Sequence, residues 1–158
     1  MFYKLILSLG LFTIALGSFL IFSQMKPKKS VPPNKIPIVM YKNATCQCCT
    51  KWAEYMDTAE FEVEQVVPEN LYDVKVEAGI TQELSSCHTA KVGNYVVEGH
   101  VPMEDVRRLL KEKPDAIGIT VPGMPIGSPG MEVEGQQADS YDVLLIHNDG
   151  STSIWASH

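Results

Sequence analysis

The spacing of apolar residues changes along the chain and marks out the elements of one folded domain. A short β-branched run at 36–41, bounded by proline and asparagine, predicts a buried strand. Apolar residues then recur at helical spacing as far as Glu60, and the alternation at 61–67 predicts a second strand. A second helix is expected from Leu71 to Ala78, with Gly79 as its stop signal.

The pattern that follows predicts two hairpins, a third helix and a long irregular segment. Two short strands flank Gly93-Asn94, which is a strong signal for a hairpin turn. Pro102 opens a third helix, and Pro114 closes it. Residues 121–134 contain too many prolines and glycines for regular structure and are expected to lie as a loop over the surface. Strands on either side of 148–150 predict a second hairpin.

This order of elements predicts the fold class and the division of the chain. A strand-helix-strand-helix-hairpin-helix order is that of an α/β thioredoxin-like domain, here residues 36–113. A C-terminal extension of loop and β-hairpin follows at 114–158. A segment rich in lysine and proline, 25–35, is typical of an extended linker. Residues 1–24 contain the apolar run 5–22, which suits a signal peptide or an uncleaved membrane anchor, so we expect the domain to be exported.

The net charge of the folded part of the chain excludes some classes of binding partner. Nine of the 13 lysines and arginines and all 19 acidic residues lie from residue 31 onward, which gives that part a net charge of −10. A surface this acidic argues against nucleic acid as a partner. It is compatible with a cation, although an acidic surface also serves solubility alone.

The candidate chemistry lies between the first strand and the first helix, where three of the four cysteines fall within four residues. Cys46 and Cys49 have the C-x-x-C spacing of thiol–disulfide exchangers, in which a helix N-terminus lowers a thiol pKa. Thiol–disulfide exchange does not require a third cysteine, so Cys48 needs another explanation. A disulfide between Cys48 and Cys49 does not supply one, because a bond between neighbouring cysteines is strained and closes almost no loop. The fourth cysteine, Cys87, precedes the third strand beside His88, so these five side chains are expected to converge.

Three kinds of site are compatible with these cysteines. A structural zinc site needs four ligands around one ion, and two adjacent cysteines make that tetrahedron hard to close. A disulfide between the thiol turn, residues 46–49, and Cys87 suits an exported protein. Thiolates that bridge several Cu(I) ions fit best, because soft sulfur selects Cu(I) and low coordination numbers let adjacent cysteines serve different ions.

Histidines and methionines extend the candidate set. His100 precedes the helix-opening proline and is either a ligand or a local hydrogen-bonding group. Met124 and Met131 lie in the proline- and glycine-rich segment, outside any helix or strand that would bury them, which favours contact with a soft metal. We expect this segment to fold over the thiol turn. His147, beside a turn, and His158, at the chain end, are not expected to be ligands.

Four stretches of the chain resemble the CopG-type family of copper-resistance proteins, which is recognised by a C-x-C-C motif. The resemblance runs in order from about residue 36 to residue 155. The four stretches are Tyr41–Trp52, Ser86–Ala90, Val97–Pro102 and Val121–Val133.

The resemblance implies a thioredoxin-like domain whose C-terminal extension helps to bind metal. It also implies a copper cluster bridged by cysteine sulfur, and a role in interconverting Cu(I) and Cu(II) for periplasmic detoxification and efflux. The residues that fall on the family's cysteines are Cys46, Cys48, Cys49 and Cys87.

These observations predict an exported copper-binding protein of the periplasm, released or anchored to the inner membrane by 5–22. It is expected to be a monomer that holds several copper ions, serves a copper efflux system and acts as a copper oxidoreductase through Cys46 and Cys49. Two alternatives stay open: a thiol–disulfide oxidoreductase in which Cys46 attacks and Cys49 resolves, and a copper carrier without redox turnover. The predicted metal ligands are Cys46, Cys48, Cys49, Cys87, His88, His100, Met124 and Met131.

Overall fold

The computed structural model describes residues 34–158, and all of its strands belong to one sheet. The export segment predicted at 1–24 and residues 25–33 of the predicted linker lie outside this range. Within 34–158, no helix is both long enough and apolar enough to cross a bilayer. The elements are β1 Ile36–Lys42, α1 Gln47–Met56, β2 Phe61–Val66, α2 Leu71–Glu77, β3 His88–Val92, β4 Tyr95–Glu98, α3 Met103–Glu112, β5 Gly118–Thr120, β6 Asp142–Ile146 and β7 Thr152–Ser157.

The sheet has the strand order β2-β1-β3-β4-β5-β6-β7. β1 runs parallel to β2 and antiparallel to β3, and β3 turns into β4 at Gly93-Asn94, as predicted. Gly93 has a φ of 56°, the left-handed conformation that a two-residue hairpin turn requires. The three helices and the mixed sheet of residues 34–158 agree with the predicted thioredoxin-like α/β class.

The sheet continues into the C-terminal part of the chain through a strand that the sequence pattern did not predict. β5 pairs in parallel with β4 and antiparallel with β6, and β6 and β7 form the predicted second hairpin. A Cβ atom on Gly118 would lie 1.9 Å from the Val96 carbonyl oxygen, so only glycine permits this close pairing. The sheet therefore runs through the predicted boundary between residues 113 and 114.

α1 packs its apolar face on the sheet and ends earlier than its apolar spacing indicated. The helix was expected to continue to Glu60, but it ends at Met56. The Thr58 hydroxyl accepts hydrogen bonds from the backbone N–H groups of Glu60 and Phe61, and this turn leads directly into β2. Met56 is fully buried, as its helical spacing predicted. The Trp52 indole N–H, also buried, donates to a backbone carbonyl that precedes α3.

The segment 121–134 contains no helix or strand and lies over the start of α1, as expected. Its residues 128–130 are buried. Gly130 has a φ of 84°, and a Cβ atom there would lie 2.8 Å from both the Cys48 carbonyl oxygen and the Trp52 backbone nitrogen. This close approach brings the segment into contact with the residues that carry the thiols.

We predict that Gly130→Ala destabilises the protein more than Gly135→Ala does. Gly135 also has a positive φ, 78°, but a Cβ atom there has no neighbour within 4 Å, so this variant measures backbone strain alone, about 1 kcal/mol. At Gly130 the added methyl group also pushes against α1, at a further cost of about 1–3 kcal/mol. Urea unfolding of both variants tests this, and equal losses would mean that the segment does not press on α1.

Candidate metal centre

The four cysteine sulfurs gather where β1 leads into α1 and where the chain enters β3. Cys46 is the N-cap of α1, and its sulfur accepts the backbone N–H of Cys49 at 3.3 Å. Cys48 Sγ lies 3.5 Å from Cys46 Sγ and 3.9 Å from Cys87 Sγ. All four sulfur atoms lie within 4.8 Å of one another. The predicted convergence of Cys87 on the thiol turn is therefore present in the structure.

The structure contains one disulfide bond, and it lies within the thiol turn. It joins Cys46 to Cys49, whereas Cys48 and Cys87 are free. The disulfide alternative considered from the sequence had linked the turn to Cys87, so the observed pairing is different. Because a thiolate rather than a disulfide sulfur is the metal ligand, Cys46 and Cys49 must be reduced before either of them binds a metal ion.

Two buried imidazoles complete the group. His100 Nε2 lies 2.8 Å from Cys87 Sγ, and the opposite ring nitrogen, Nδ1, donates to the Pro129 carbonyl oxygen at 2.8 Å. This bond assigns the hydrogen to Nδ1 and leaves the lone pair of Nε2 facing the thiol. His88 Nδ1 lies 3.5 Å from the same sulfur, and the His88 ring packs on Trp52. Cys87, His88 and His100 thus form a second group within 4.8 Å, which shares Cys87 with the first.

Burial determines the protonation of this group. It lowers the pKa of His88 well below its usual value, and the neighbouring basic groups His100 and Lys75 lower that pKa further. Burial likewise lowers the pKa of His100, so both rings are neutral, which is the form that binds metals. The pKa of Cys87 rises to about 12, first because of burial and then because of the neighbouring Cys48. A metal ion that binds there must displace the thiol proton.

The donor set fits a soft metal ion. Thiolate sulfur and neutral imidazole are preferred by Cu(I) and Zn²⁺, whereas Mg²⁺ and Ca²⁺ take oxygen ligands. Within the described residues, His88 Nε2 is buried without a hydrogen-bond partner. A buried nitrogen without a partner costs free energy, so His88 Nε2 is available to a ligand that the hydrogen-bond network does not supply.

Two charged residues that sequence reasoning overlooked hold Cys87 in place. The buried carboxylate of Glu98 accepts the backbone N–H of Ser86 at 2.7 Å and the Thr89 hydroxyl at 2.7 Å, and it forms an ion pair with Lys75. These contacts fix the chain on both sides of Cys87. A signal was present, since Lys75 follows Leu71 by four residues and so lies on the apolar face of α2.

The two candidate methionines differ in burial. Met131 is half-buried and follows Gly130, and its backbone bonds to Gly127 and Ser128 hold a tight turn. Met124 is 53% exposed at the other end of the segment.

The two histidines not expected to be ligands have other partners. His147 Nε2 lies 2.9 Å from a serine hydroxyl on β7, and His158 Nε2 lies 2.8 Å from the Asp105 carboxylate. Neither belongs to the groups of possible ligands found among residues 34–158.

Comparison with known proteins identifies the family. A family described as "Protein of unknown function, DUF411" matches residues 84–131, a range that includes Cys87 and both buried imidazoles. A comparison with curated proteins finds no match. Two solved structures, titled "Copper resistance protein copG", Form 2 and Form 1, superpose with TM-scores of 0.74 and 0.73 at 36% identity. The matches cover 78% of this chain and 98% and 97% of theirs, and the chain therefore belongs to the CopG family of copper-resistance proteins.

Proposed function

We propose that this protein binds copper in copper resistance, as a thiolate-bridged cluster of several Cu(I) ions that it interconverts with Cu(II). The observation that carries the proposal is the pair of ligand groups that share Cys87. One offers four sulfurs and the other one sulfur and two imidazoles, each within 4.8 Å. A single tetrahedral ion takes four ligands, so these six side chains exceed what one zinc ion needs. A cluster in which cysteine sulfurs bridge neighbouring Cu(I) ions has a place for all six side chains.

Accessibility supports an ion that enters and leaves. Cys46, Cys48 and Cys87 are half-buried, whereas Cys49 and both imidazoles are buried. Copper can therefore reach the outer thiols from solvent and be retained by the inner ligands. Met124 is exposed to solvent and offers a further soft donor that incoming copper can reach.

The relatives' titles support the biological setting. Both solved structures are titled as copper-resistance proteins. With the apolar run at 5–22, this supports a site of action in the periplasm, where copper is the cargo and an efflux system is the partner that receives it. Copper is then a substrate that is bound, changed in oxidation state and passed on.

A second function is favoured by the disulfide bond of the turn. Cys46 and Cys49 are joined at the N-terminus of α1, where helix N–H groups and the helix dipole stabilise a thiolate. Cys46 is half-buried and Cys49 is fully buried, which suits Cys46 as the attacking thiol and Cys49 as the resolving one. Thiol–disulfide exchange of this kind does not need Cys48, and that residue separates the two functions.

We predict that Cys48→Ser lowers the number of copper ions bound per chain and leaves the fold intact. The turn needs no particular side chain at this position, whereas a bridged cluster needs the sulfur. The measurement is copper per chain after anaerobic reconstitution with Cu(I), together with thermal unfolding. Thr50→Ala is the matched control, because it removes a hydrogen bond to the Cys46 carbonyl oxygen in the same turn without removing sulfur. Unchanged copper in Cys48→Ser would contradict the cluster and favour thiol–disulfide exchange.

We also predict that replacing both Met124 and Met131 by leucine weakens retention of Cu(I) with little change in stability. Leucine and methionine have similar volumes, so packing costs less than about 1.5 kcal/mol, while the thioether ligands are lost. Transfer of Cu(I) to a competing chelator is the measurement. Met103→Leu, a buried substitution on α3, is the control. Equal Cu(I) retention by the double variant and the unmodified protein would show that the two methionines only pack and do not bind copper.

A further inference from the structure

The disulfide bond leaves two thiols that the thiol turn alone does not explain. With Cys46 and Cys49 joined, Cys48 and Cys87 are the free cysteines, and their sulfurs lie 3.9 Å apart. A disulfide bond has a sulfur–sulfur distance of about 2.05 Å, so these atoms need to approach by roughly 2 Å, which side-chain rotation can supply. Both side chains are half-buried and reachable by a small oxidant.

The pairing of these two cysteines is selective. Cys48 adjoins Cys49 in sequence, and a bond between neighbours is strained. Cys46 lies closer, at 3.5 Å, but its sulfur is already bonded. Cys87 comes from a different segment, 39 residues away, and is held in place by the contacts of Glu98 on either side of it. It is thus the one free partner for Cys48 in a chain with four cysteines.

We propose that Cys48 and Cys87 form a second dithiol–disulfide couple, so that the four cysteines store four electrons and supply them to Cu(II). This inference rests on the proposed function, which supplies the oxidant, Cu(II). In each couple two thiols lose two protons and two electrons and form one sulfur–sulfur bond, while two Cu(II) ions each gain one electron and become Cu(I). Complete oxidation gives Cys46–Cys49 and Cys48–Cys87 disulfides, and a dithiol reductant restores the thiols.

The two couples link electron supply to copper release. The reduced site offers four thiolates and two imidazoles. The state in the structure, with one disulfide, retains Cys48, Cys87, His88 and His100 as ligands. The fully oxidised site retains the imidazoles and no cysteine thiolate. Each pair of electrons given to copper therefore removes two sulfur ligands, so the Cu(I) that forms is progressively released to a partner.

The first experiment tests the pairing without metal. Reduced, metal-free protein is oxidised anaerobically with diamide, quenched in acid, alkylated and digested with trypsin. We expect a monomer without free thiols in which peptide 43–51, with three cysteines, is linked to peptide 76–91, with Cys87. Cys48→Ser and Cys87→Ser should each retain about one alkylated thiol per chain and show no such link. Unmodified protein that keeps Cys48 and Cys87 alkylated, or that forms linked dimers, would overturn the proposal.

The second experiment tests the oxidant. Reduced protein is mixed with excess Cu(II) without oxygen, and Cu(I) is captured by a coloured chelator. We expect about four Cu(I) per chain from the unmodified protein and about two from Cys87→Ser. About two from both would overturn the role of the second couple in copper reduction. The proposed function is judged separately, by binding of Cu(I) to reduced protein: binding without the 43–51 to 76–91 link refutes only the couple, and the link without binding refutes only the cluster.

Discussion

The buried carboxylate of Glu98 is the interaction on which the position of Cys87 depends. A charge removed from water is costly unless it is paired and hydrogen-bonded, and Glu98 is fully buried. Its partners come from three directions: Lys75 on α2, Thr89 on β3 and the backbone of Ser86 before β3. Loss of any partner leaves a buried charge partly unsatisfied, so the arrangement forms as a unit. Cys87 and His88 lie between the contacts at Ser86 and Thr89.

The opposite side of the site is held by neutral contacts. The Pro129 carbonyl oxygen accepts the N–H of His100, and Gly130 lies against the backbone of α1. The imidazole is thereby oriented with its lone pair toward Cys87, and the thiol turn is covered by a segment with positive-φ glycines instead of regular structure. The ligands thus come from separate parts of the chain, and the sheet and these two sets of contacts bring them together.

Features that depend on neighbouring residues were predictable, and those that depend on distant ones were not. The C-x-C-C turn before a helix and the hairpin at Gly93-Asn94 follow from local spacing and turn chemistry, as does the burial of Met56. β5 is only three residues long, too short for a period to be recognised, and its identity as a strand comes from pairing with β4 and β6. The contact of His100 with Cys87 likewise depends on how the end of β4 meets the start of β3.

Charge connects the structure of the site to its proposed chemistry. Lys75 and Glu98 neutralise each other beside Cys87, and the two imidazoles are uncharged, so the charge of the site is set by how many of its cysteines are in the thiolate form. Several thiolates in a half-buried space repel one another, and one monovalent ion per thiolate removes that charge, whereas a single divalent ion leaves part of it. When two metal-binding thiolates form a disulfide, two negative charges are removed at once. The oxidation state of the cysteines therefore changes the attraction for copper ions as well as the number of sulfur ligands, and both changes act in the same direction.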